Sequence, residues 1–200
     1  MIRRLLVANR AEIASRVFRT CRDLGIETVA VHSDADAGLP YVREADGAVR
    51  LPGNTPADTY LRSDLLCDAA RRSGADAVHP GYGFLSENPE FAEACAAAGI
   101  QFIGPEPEVM RQLGNKVSAR ELAEAAGVPV VPATGALPYD LAEAQRMAAA
   151  VGYPLMLKAS HGGGGRGVRV VAAPSELGPL VHAARREAAL AFGNDEVYVE

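Results

Sequence analysis

A run of glycines between basic residues is the clearest candidate for chemistry in this sequence. Residues 162–167 are Gly-Gly-Gly-Gly-Arg-Gly, with Lys158 before them and Arg169 after them. A glycine backbone can approach anionic oxygens closely because no Cβ intervenes, and successive N–H groups can point at one anion. Lys158 and Arg166 would add charge-assisted hydrogen bonds. The pattern favours phosphate binding over the alternative, a flexible surface hairpin without a ligand.

The residues after the glycines distinguish between kinds of phosphate loop. Gly162, Gly164 and Gly167 match G-x-G-x-x-G, but the dinucleotide-binding form of that pattern must open a helix. Here VRVV follows, which is typical of a strand, and no GK[ST] ends the loop as a Walker loop requires. The sequence therefore predicts a strand–loop–strand hairpin. Such a hairpin can close over a triphosphate and exclude water.

A second group of polar residues lies in HPGYGFLSEN, residues 79–88, at the predicted carboxyl end of a strand. Ligands bind at that edge of open α/β sheets. A Ser–His–acid nucleophile is disfavoured because G-x-S-x-G is absent around Ser86. We expect His79 and Glu87 to hold the loop by hydrogen bonds and Tyr82 to face a cleft.

Three further residues have ordinary interpretations from the sequence alone. Asp34 and Asp36 follow the second predicted strand, where a ribose-binding acid would lie. The turn after the first strand, ANRAEIA, has no glycine, so we exclude NAD and expect both aspartates to be solvated loop residues. Lys116 opens a predicted helix, a common place for a surface lysine, and the residues alone assign it no role.

The elements that must position these residues follow two patterns. Over the first hundred residues strands alternate with helices, which predicts an α/β unit with a parallel sheet covered on both faces. One of its helices is expected to be capped by Ser63 and ended by Gly74. After Gly104 the pattern gives two helices and a proline-rich crossing. A second unit then runs helix (141–151), strand, glycine loop, strand, long helix (from Ser175) and strand.

Composition excludes several classes of protein. The chain has 200 residues, 48% of them hydrophobic, and a net charge of −5, which argues against a nucleic-acid partner. No apolar run approaches the roughly 20 residues of a membrane helix, so no membrane is expected. Cys21, Cys67 and Cys95 are widely spaced without a zinc pattern, and we expect buried, reduced thiols in a cytoplasmic protein. The strand pattern EVYVE runs into the last residue, which indicates a piece of a longer protein.

Seven collinear motifs together resemble the biotin carboxylases, members of the ATP-grasp superfamily. They are VANRAEIA (7–14), HPGYGFLSEN (79–88), FIGP (102–105), GNKVSAR (114–120), GVPVVP (127–132), KASHGGGGRG (158–167) and NDEVYVE (194–200). Any one motif alone is weak, but the combination is specific and spans the chain. The resemblance implies a Rossmann-like preATP-grasp domain at 1–114, a linking helix at 115–130, and an ATP-grasp lid at 131–200 that is truncated at its carboxyl end.

The resemblance also implies roles for individual positions. Those that match ATP-contacting residues are the phosphate lysines Lys116 and Lys158, the lid glycines Gly163, Gly164 and Gly165, and the adenine-side acid Glu200. Tyr82 and Gly83 match the loop on the biotin and bicarbonate side, and Arg19 matches a dimer-interface position. The family's metal carboxylates, bicarbonate and biotin arginines and general base are expected beyond residue 200. No catalytic residue or metal ligand is therefore placed in this chain, which alone is expected to be inactive.

The activity implied by the resemblance is a ligase reaction, the carboxylation of biotin with ATP and Mg²⁺ or Mn²⁺. Bicarbonate attacks the γ-phosphorus and gives carboxyphosphate, which collapses to CO₂ and phosphate. The deprotonated ureido nitrogen of biotin then takes the CO₂. The implied partners are a biotin carboxyl carrier protein or domain and a carboxyltransferase subunit or domain, and the full module is expected to form a homodimer.

Two residues depart from the family pattern. Ala11 stands where a glycine is usual, so the first turn is expected to differ slightly. Val168 stands where a methionine commonly packs near adenine, so nucleotide affinity is expected to differ. His161 occupies a variable position and is assigned no role.

Alternatives to this interpretation stay open. One is another ATP-grasp ligase, such as a carbamoyl-phosphate or purine-pathway enzyme, against which HPGYGFLSE argues. Another is a non-catalytic assembly fragment. The acyl acceptor is open between an acyl-CoA and pyruvate. Three stretches resemble pyruvate carboxylases more closely, namely MRQLGNKVSAR, VVPATGALP and EAALAFGNDEVYVE, whereas HSDADAGLPYVREAD resembles acyl-CoA carboxylases, and we favour an acyl-CoA carboxylase.

Overall fold

The described chain, residues 1–161 and 168–200 of a computed structural model, divides between Arg111 and Gln112 into two units. Each unit has hydrophobic clusters of its own.

A parallel sheet forms the centre of the first unit. Its strands are β1 (Arg4–Val7), β2 (Glu27–His32), β3 (Gly47–Arg50), β4 (Ala77–His79) and β5 (Gln101–Phe102). They lie in the order β3-β2-β1-β4-β5, and every neighbouring pair is parallel. The carboxyl ends of all five strands therefore point to one edge, as the alternating sequence pattern predicts.

Helices cover both faces of this sheet. They are α1 (Ala11–Asp23), α2 (Pro40–Glu44), α3 (Ser63–Ser73) and α4 (Pro89–Ala97), and α5 (Pro107–Gly114) follows at the boundary of the units. Alternate strand residues enter different clusters, because successive side chains of a strand point to opposite faces. Leu6 packs in the cluster of α3 and α4, whereas Leu5 and Val7 pack with residues of α1. The predicted two-sided α/β sheet is confirmed.

The helix ends of the first unit follow the sequence with one exception. Gly74 ends α3 in the left-handed conformation, with φ of +69°, as predicted. Asn88 caps α4 by accepting a hydrogen bond from the Phe91 N–H. The prediction that Ser63 caps α3 is wrong. Ser63 is the first helical residue, and Arg62 occupies the capping position without a side-chain bond.

The second unit combines helices with a small antiparallel sheet. Its helices are α6 (Lys116–Ala125), α7 (Leu141–Val151) and α8 (Leu177–Phe192), and its strands are β6 (Leu155–Ala159), β7 (Arg169–Val171) and β8 (Val197–Val199). Among the described residues the strand order is β7-β6-β8. Leu155, Leu157 and Ala159 are buried, and the first two pack against residues of α7 and α8. The alternation places Lys158 on the opposite face of the sheet.

Candidate functional site

The strands on either side of the glycine run form one hairpin. Strands β6 and β7 are antiparallel neighbours, with Leu157 opposite Arg169. The predicted strand–loop–strand arrangement is thereby confirmed, and a helix-opening dinucleotide loop is excluded because a strand, not a helix, follows. The predicted ligand residues Gly163, Gly164 and Gly165 lie outside the described residues.

Lys158 and Glu200 are brought together across this sheet. The Glu200 N–H donates to the carbonyl oxygen of Met156 at 3.0 Å, and the Met156 N–H donates to the carbonyl oxygen of Glu200 at 2.7 Å. These two bonds align Glu200 with Met156 of β6. The Nζ of Lys158 then pairs with Oε1 of Glu200, and the two side chains are 27% and 23% exposed. The Tyr198 hydroxyl donates to Oε2 of the same glutamate at 3.3 Å. A cation and an acid held side by side and partly open to solvent can each bind one end of a ligand that carries both phosphate and hydrogen-bond donors.

Lys116 begins α6 beside the end of β6. Its backbone N–H donates to the carbonyl oxygen of Ser160 at 3.0 Å, two residues beyond Lys158. The whole sequence contains two lysines, at positions 116 and 158, among its 20 basic residues. Interpretation of the residues alone gave Lys116 no role. The signal that could have singled it out is this composition, because the other 18 basic residues of the chain are arginines.

The loop with Tyr82 and Gly83 is held at its base in the first unit. The amide of Asn9 donates to the carbonyl oxygens of Pro80, at 2.8 Å, and Tyr82, at 3.0 Å. The Gly81 N–H donates to Nδ1 of His79 at 2.9 Å, so the predicted loop-holding role of His79 is confirmed. Burial lowers the pKa of His79, and this favours the neutral ring that can accept such a bond.

The Tyr82 side chain points away from this base. It is 59% exposed, and its hydroxyl donates to the Glu12 carboxylate, a hydrogen bond that raises the pKa of Tyr82. The predicted cleft position of Tyr82 and the loop-holding role of Glu87, which is exposed, stay predictions. Arg19 is exposed on α1, and its interface role also stays a prediction. These residues belong to the first unit, and Lys116, Lys158 and Glu200 belong to the second.

Comparison with known families follows the division into units. Residues 1–110 match the family described as the biotin carboxylase N-terminal domain. The chain belongs to the biotin carboxylase family. Residues 115–200 match the family described as the ATP binding domain of the carbamoyl-phosphate synthase L chain.

Named relatives of this biotin carboxylase chain include carboxylases with different acceptors. It is 48% identical over 199 residues to the mitochondrial methylcrotonoyl-CoA carboxylase subunit alpha of Oryza sativa subsp. japonica, of which it covers 27%. It is 50% identical over 200 residues to the mitochondrial pyruvate carboxylase of Rattus norvegicus, of which it covers 17%. Both matches cover the whole of this chain.

A solved structure shows the same fold. The biotin carboxylase domain dimer of 2-oxoglutarate carboxylase from Hydrogenobacter thermophilus, in complex with MgADP, ADP and bicarbonate, is 45% identical to this chain. The TM-score is 0.92, and the match covers all of this chain and 44% of that one. The chain thus spans less than half the length of these three relatives.

In the biotin carboxylase N-terminal domain, the environment of Asp36 differs from the solvated loop position predicted from the sequence. Asp34 is paired with Arg50 at 2.5 Å and is exposed, but Asp36 is only 6% exposed, so the expectation of a solvated loop residue is wrong for it. Asp36 accepts hydrogen bonds from Nε and Nη2 of Arg10 at 2.6 and 2.5 Å and from the Tyr60 hydroxyl at 2.6 Å. The Arg10 guanidinium lowers the pKa of Asp36 to about 2.

The parallel register explains this ion pair. Arg10 follows β1 and Asp36 follows β2, and these strands are parallel neighbours whose carboxyl ends meet at one edge. Asp36 is therefore already saturated by protein donors, which leaves it poorly suited to bind a ribose hydroxyl.

The described residues contain neither a cluster of candidate metal ligands nor a membrane-spanning helix. Among residues 1–161 and 168–200 no group of three or more His, Cys, Asp or Glu side chains could hold a metal ion. Cys21, Cys67 and Cys95 are free and buried, as predicted. None of the described helices combines the length and apolar character needed to cross a bilayer.

Proposed function

We propose that this chain supplies the amino-terminal domain and the ATP-binding lid of a biotin carboxylase. The observation that carries the proposal is the Lys158–Glu200 pair, held on the face of the β6–β8 sheet that lies away from the core, next to the hairpin that carries the glycines. Family membership supports it, because the relatives named above are carboxylases or their biotin carboxylase domain.

In this proposal the second unit binds ATP. Lys158 and Lys116 contact the phosphates, the backbone N–H groups of Gly163, Gly164 and Gly165 close over them, and Glu200 accepts a hydrogen bond from the adenine amine. Fixed donors around a phosphoryl group stabilise the charge that develops as it is transferred. The MgADP and bicarbonate named for the Hydrogenobacter domain support this class of ligand.

The proposed reaction is the first half-reaction of a biotin-dependent carboxylase. Bicarbonate oxygen attacks the γ-phosphorus of ATP and displaces ADP, and the carboxyphosphate formed breaks down to CO₂ and phosphate. The biotin ureido nitrogen loses a proton to a base and forms a C–N bond with CO₂. A closed glycine hairpin protects carboxyphosphate from water. Mg²⁺ or Mn²⁺, when bound with the nucleotide, would balance the charge of the ATP phosphates.

The partners, the division into domains and the cellular location form part of this proposal. The carboxylated biotin is carried on a carrier protein or domain and passed to a carboxyltransferase, and the complete module pairs as a homodimer through a surface that includes Arg19. Tyr82 and Gly83 line the biotin and bicarbonate side. We divide the chain functionally into a preATP-grasp domain at 1–114, a linking helix at 115–130 and the lid at 131–200. The buried free thiols support a cytoplasmic location.

The acceptor is proposed to be an acyl-CoA. Similar identities to a methylcrotonoyl-CoA carboxylase and a pyruvate carboxylase mean that these 200 residues favour neither strongly. Assay of the complete protein with acetyl-CoA, propionyl-CoA and pyruvate distinguishes them, and turnover with pyruvate alone would contradict the proposal.

The function is tested by ATP hydrolysis in the complete protein with and without bicarbonate and free biotin. We expect hydrolysis that needs bicarbonate and is stimulated by biotin. Hydrolysis that ammonia stimulates and biotin does not would instead assign a carbamoyl-phosphate type of ligase. The absence of any ATP binding would assign a non-catalytic fragment.

The role of Lys158 is tested by substitution. Lys158→Ala is expected to weaken ATP binding by about tenfold or more, since a charge-assisted hydrogen bond contributes about 1.5–3 kcal/mol. Arg146→Ala, which removes an exposed cation from α7 in the same unit, is the matched control and is expected to leave ATP binding unchanged. Equal ATP affinity in the Lys158→Ala variant and the wild type would overturn the assignment.

A further inference from the structure

Asn115 joins three elements of the second unit at one point. Its Oδ1 accepts hydrogen bonds from the N–H groups of Val117, at 2.8 Å, and Ser118, at 3.2 Å, and so caps α6. Its Nδ2 donates to Oε1 of Glu196 at 2.9 Å and lies 3.4 Å from Nε2 of His161. One side chain therefore links the start of α6 to the residue before β8 and to the residue before the glycine run.

The backbone around Asn115 reinforces the same junction. The Lys116 N–H donates to the carbonyl oxygen of Ser160 at 3.0 Å, and the Ser160 N–H donates to the carbonyl oxygen of Glu196 at 3.0 Å. Glu196 is itself fixed, because its N–H donates to Oδ1 of Asn194 at 2.8 Å. The end of β6, the start of β8 and the first turn of α6 are thus held in one hydrogen-bonded cluster.

This hydrogen-bonded cluster fixes the start of α6 and therefore the position of Lys116, its first residue. The first turn of a helix has backbone N–H groups without partners inside the helix, and it frays when nothing caps it. Lys116 is the first residue of α6, and Lys158 lies on β6, two residues before Ser160. The Asn115–Glu196 hydrogen bond therefore fixes the backbone of one lysine relative to the strand that carries the other.

We propose that Asn115 and Glu196 are positioning residues that hold Lys116 in register with Lys158 for the phosphates of one nucleotide. This inference rests on the proposed function. The Asn115 side chain would then have two roles, helix capping and the link to Glu196, and each role uses a different atom of the amide. The cap needs the side-chain oxygen, and the link to β8 needs the N–H donor.

The change Asn115→Asp separates these roles. An aspartate caps a helix as well as an asparagine does and suits the positive end of the helix dipole. It has no N–H to donate, however, and it places a second carboxylate against Glu196, which repels it. We expect Asn115→Asp to keep α6 capped and to raise the KM for ATP about tenfold, as loss of one charge-assisted hydrogen bond would.

The double variant Asn115→Asp/Glu196→Gln restores the link in reverse. The Gln side chain donates an N–H to the carboxylate at position 115, so the hydrogen bond re-forms with its polarity exchanged. We expect the KM for ATP to return to within about threefold of the wild-type value, since the net contribution of one hydrogen bond is recovered.

A helix-capping control comes from the first unit. Asn88 caps α4 through the same kind of bond, from the Phe91 N–H to Oδ1 at 2.6 Å. Asn88→Asp changes a cap in the same chemical way, and we expect it to leave the KM for ATP unchanged.

A double-mutant cycle with Lys116 tests whether Asn115→Asp raises the KM for ATP by displacing Lys116. In a Lys116→Gln background the phosphate contact is already lost, so adding Asn115→Asp is expected to change the KM for ATP by less than about twofold. A purely structural role would give the same tenfold penalty in both backgrounds, together with a lowered melting temperature.

The outcomes separate this inference from the function on which it rests. Wild-type protein without ATP-dependent activity would overturn the proposed function. Active wild-type protein whose KM for ATP is unchanged by Asn115→Asp, or whose defect Glu196→Gln does not repair, would overturn the positioning role alone. Rescue by Glu196→Gln together with loss of the penalty in the Lys116→Gln background would support it.

Discussion

Ala11 is a residue whose backbone conformation conflicts with its side chain. It begins α1 directly after the turn that follows β1, with φ of +50°. L-residues with a Cβ pay about 1–2 kcal/mol for this left-handed region, and glycine does not. The positive φ explains why a glycine would suit this position, and the expected slight difference of the turn from the family pattern stays a prediction.

Replacing Ala11 with glycine is expected to stabilise the protein. Relief of the strain is partly offset by the entropy of glycine, so we expect a gain of about 0.5–1 kcal/mol in the free energy of unfolding. Urea denaturation of both proteins measures this. Ser15→Gly, in the interior of the same helix, is the control and is expected to cost about 0.5 kcal/mol, because glycine has the lower helix propensity. A loss of stability in Ala11→Gly would contradict the assignment of strain.

Asp36 gives a residue-scale prediction about pH. Its pKa in the folded chain is about 2, below the ordinary value of 3.8, so its contribution to stability is present above pH 4 and lost as the pH falls towards 2. Arg10 is 40% exposed, and solvent screening limits the contribution to about 1–2 kcal/mol.

The check is urea unfolding at pH 5 and at pH 2.5. Asp36→Asn is expected to be less stable than the wild type at pH 5 and to lose less stability on acidification. Asp34→Asn removes the exposed carboxylate of the pair with Arg50, whose hydrogen bond also lowers the pKa of Asp34. This variant is expected to change the pH dependence less than Asp36→Asn does, because solvent screens the exposed pair. The prediction fails if the pH dependence of Asp36→Asn matches that of the wild type.

At the scale of the element, the loop after β4 is built around a close approach of Gly81 to the turn that follows β1 and to α1. A Cβ at Gly81 would lie 2.6 Å from Nδ2 of Asn9 and 2.7 Å from Cγ2 of Ile13. Gly83, in the same loop, has open space around it. Both have positive φ, of +68° and +70°. The difference in stability between Gly81→Ala and Gly83→Ala therefore measures the steric contact at Gly81, because the backbone strain is similar at both positions.

Gly81→Ala is expected to destabilise the first unit more than Gly83→Ala does. The added methyl must displace the Asn9 amide from its hydrogen bonds to Pro80 and Tyr82, which adds about 1–3 kcal/mol to the shared cost of positive φ. Thermal unfolding of the two variants provides the measurement. Equal losses would mean that the loop does not depend on this contact.

At the scale of the whole molecule, the chain is stabilised by separate clusters in its two units. Leu157 is fully buried in the cluster of the second unit, between β7 and β8 and beneath α7 and α8. Leu190 lies in α8 of the same unit and is 90% exposed. These two leucines differ in burial and not in chemistry.

Leu157→Ala is expected to cost about 2–5 kcal/mol, as deletion of a buried leucine leaves a cavity, whereas Leu190→Ala is expected to cost less than about 0.5 kcal/mol. Hydrogen exchange locates the loss. We expect faster exchange within 112–200 in Leu157→Ala and unchanged protection of β1 and β4. Faster exchange throughout both units would show that they unfold as one.

Much of the architecture is specified locally and could be predicted from the sequence. Alternation of strands and helices fixed the parallel sheet, because parallel strands need crossover helices. The VRVV segment after the glycines fixed the hairpin, and Gly74 fixed a helix end, because each depends on residues within one turn or strand. The collinear motifs pointed to the biotin carboxylase family, which the match over residues 1–110 confirms.

Tertiary structure decided which residues meet. Arg10 lies 26 residues from Asp36, Lys158 lies 42 from Glu200, and Asn115 lies 81 from Glu196. No periodicity relates such positions, since strand register and packing between elements set these contacts. The order of the elements and the family follow from the sequence alone. Only the fold buried Asp36, placed Ala11 at positive φ and joined the start of α6 to the end of β6, which carries Lys158, and to the residue before β8.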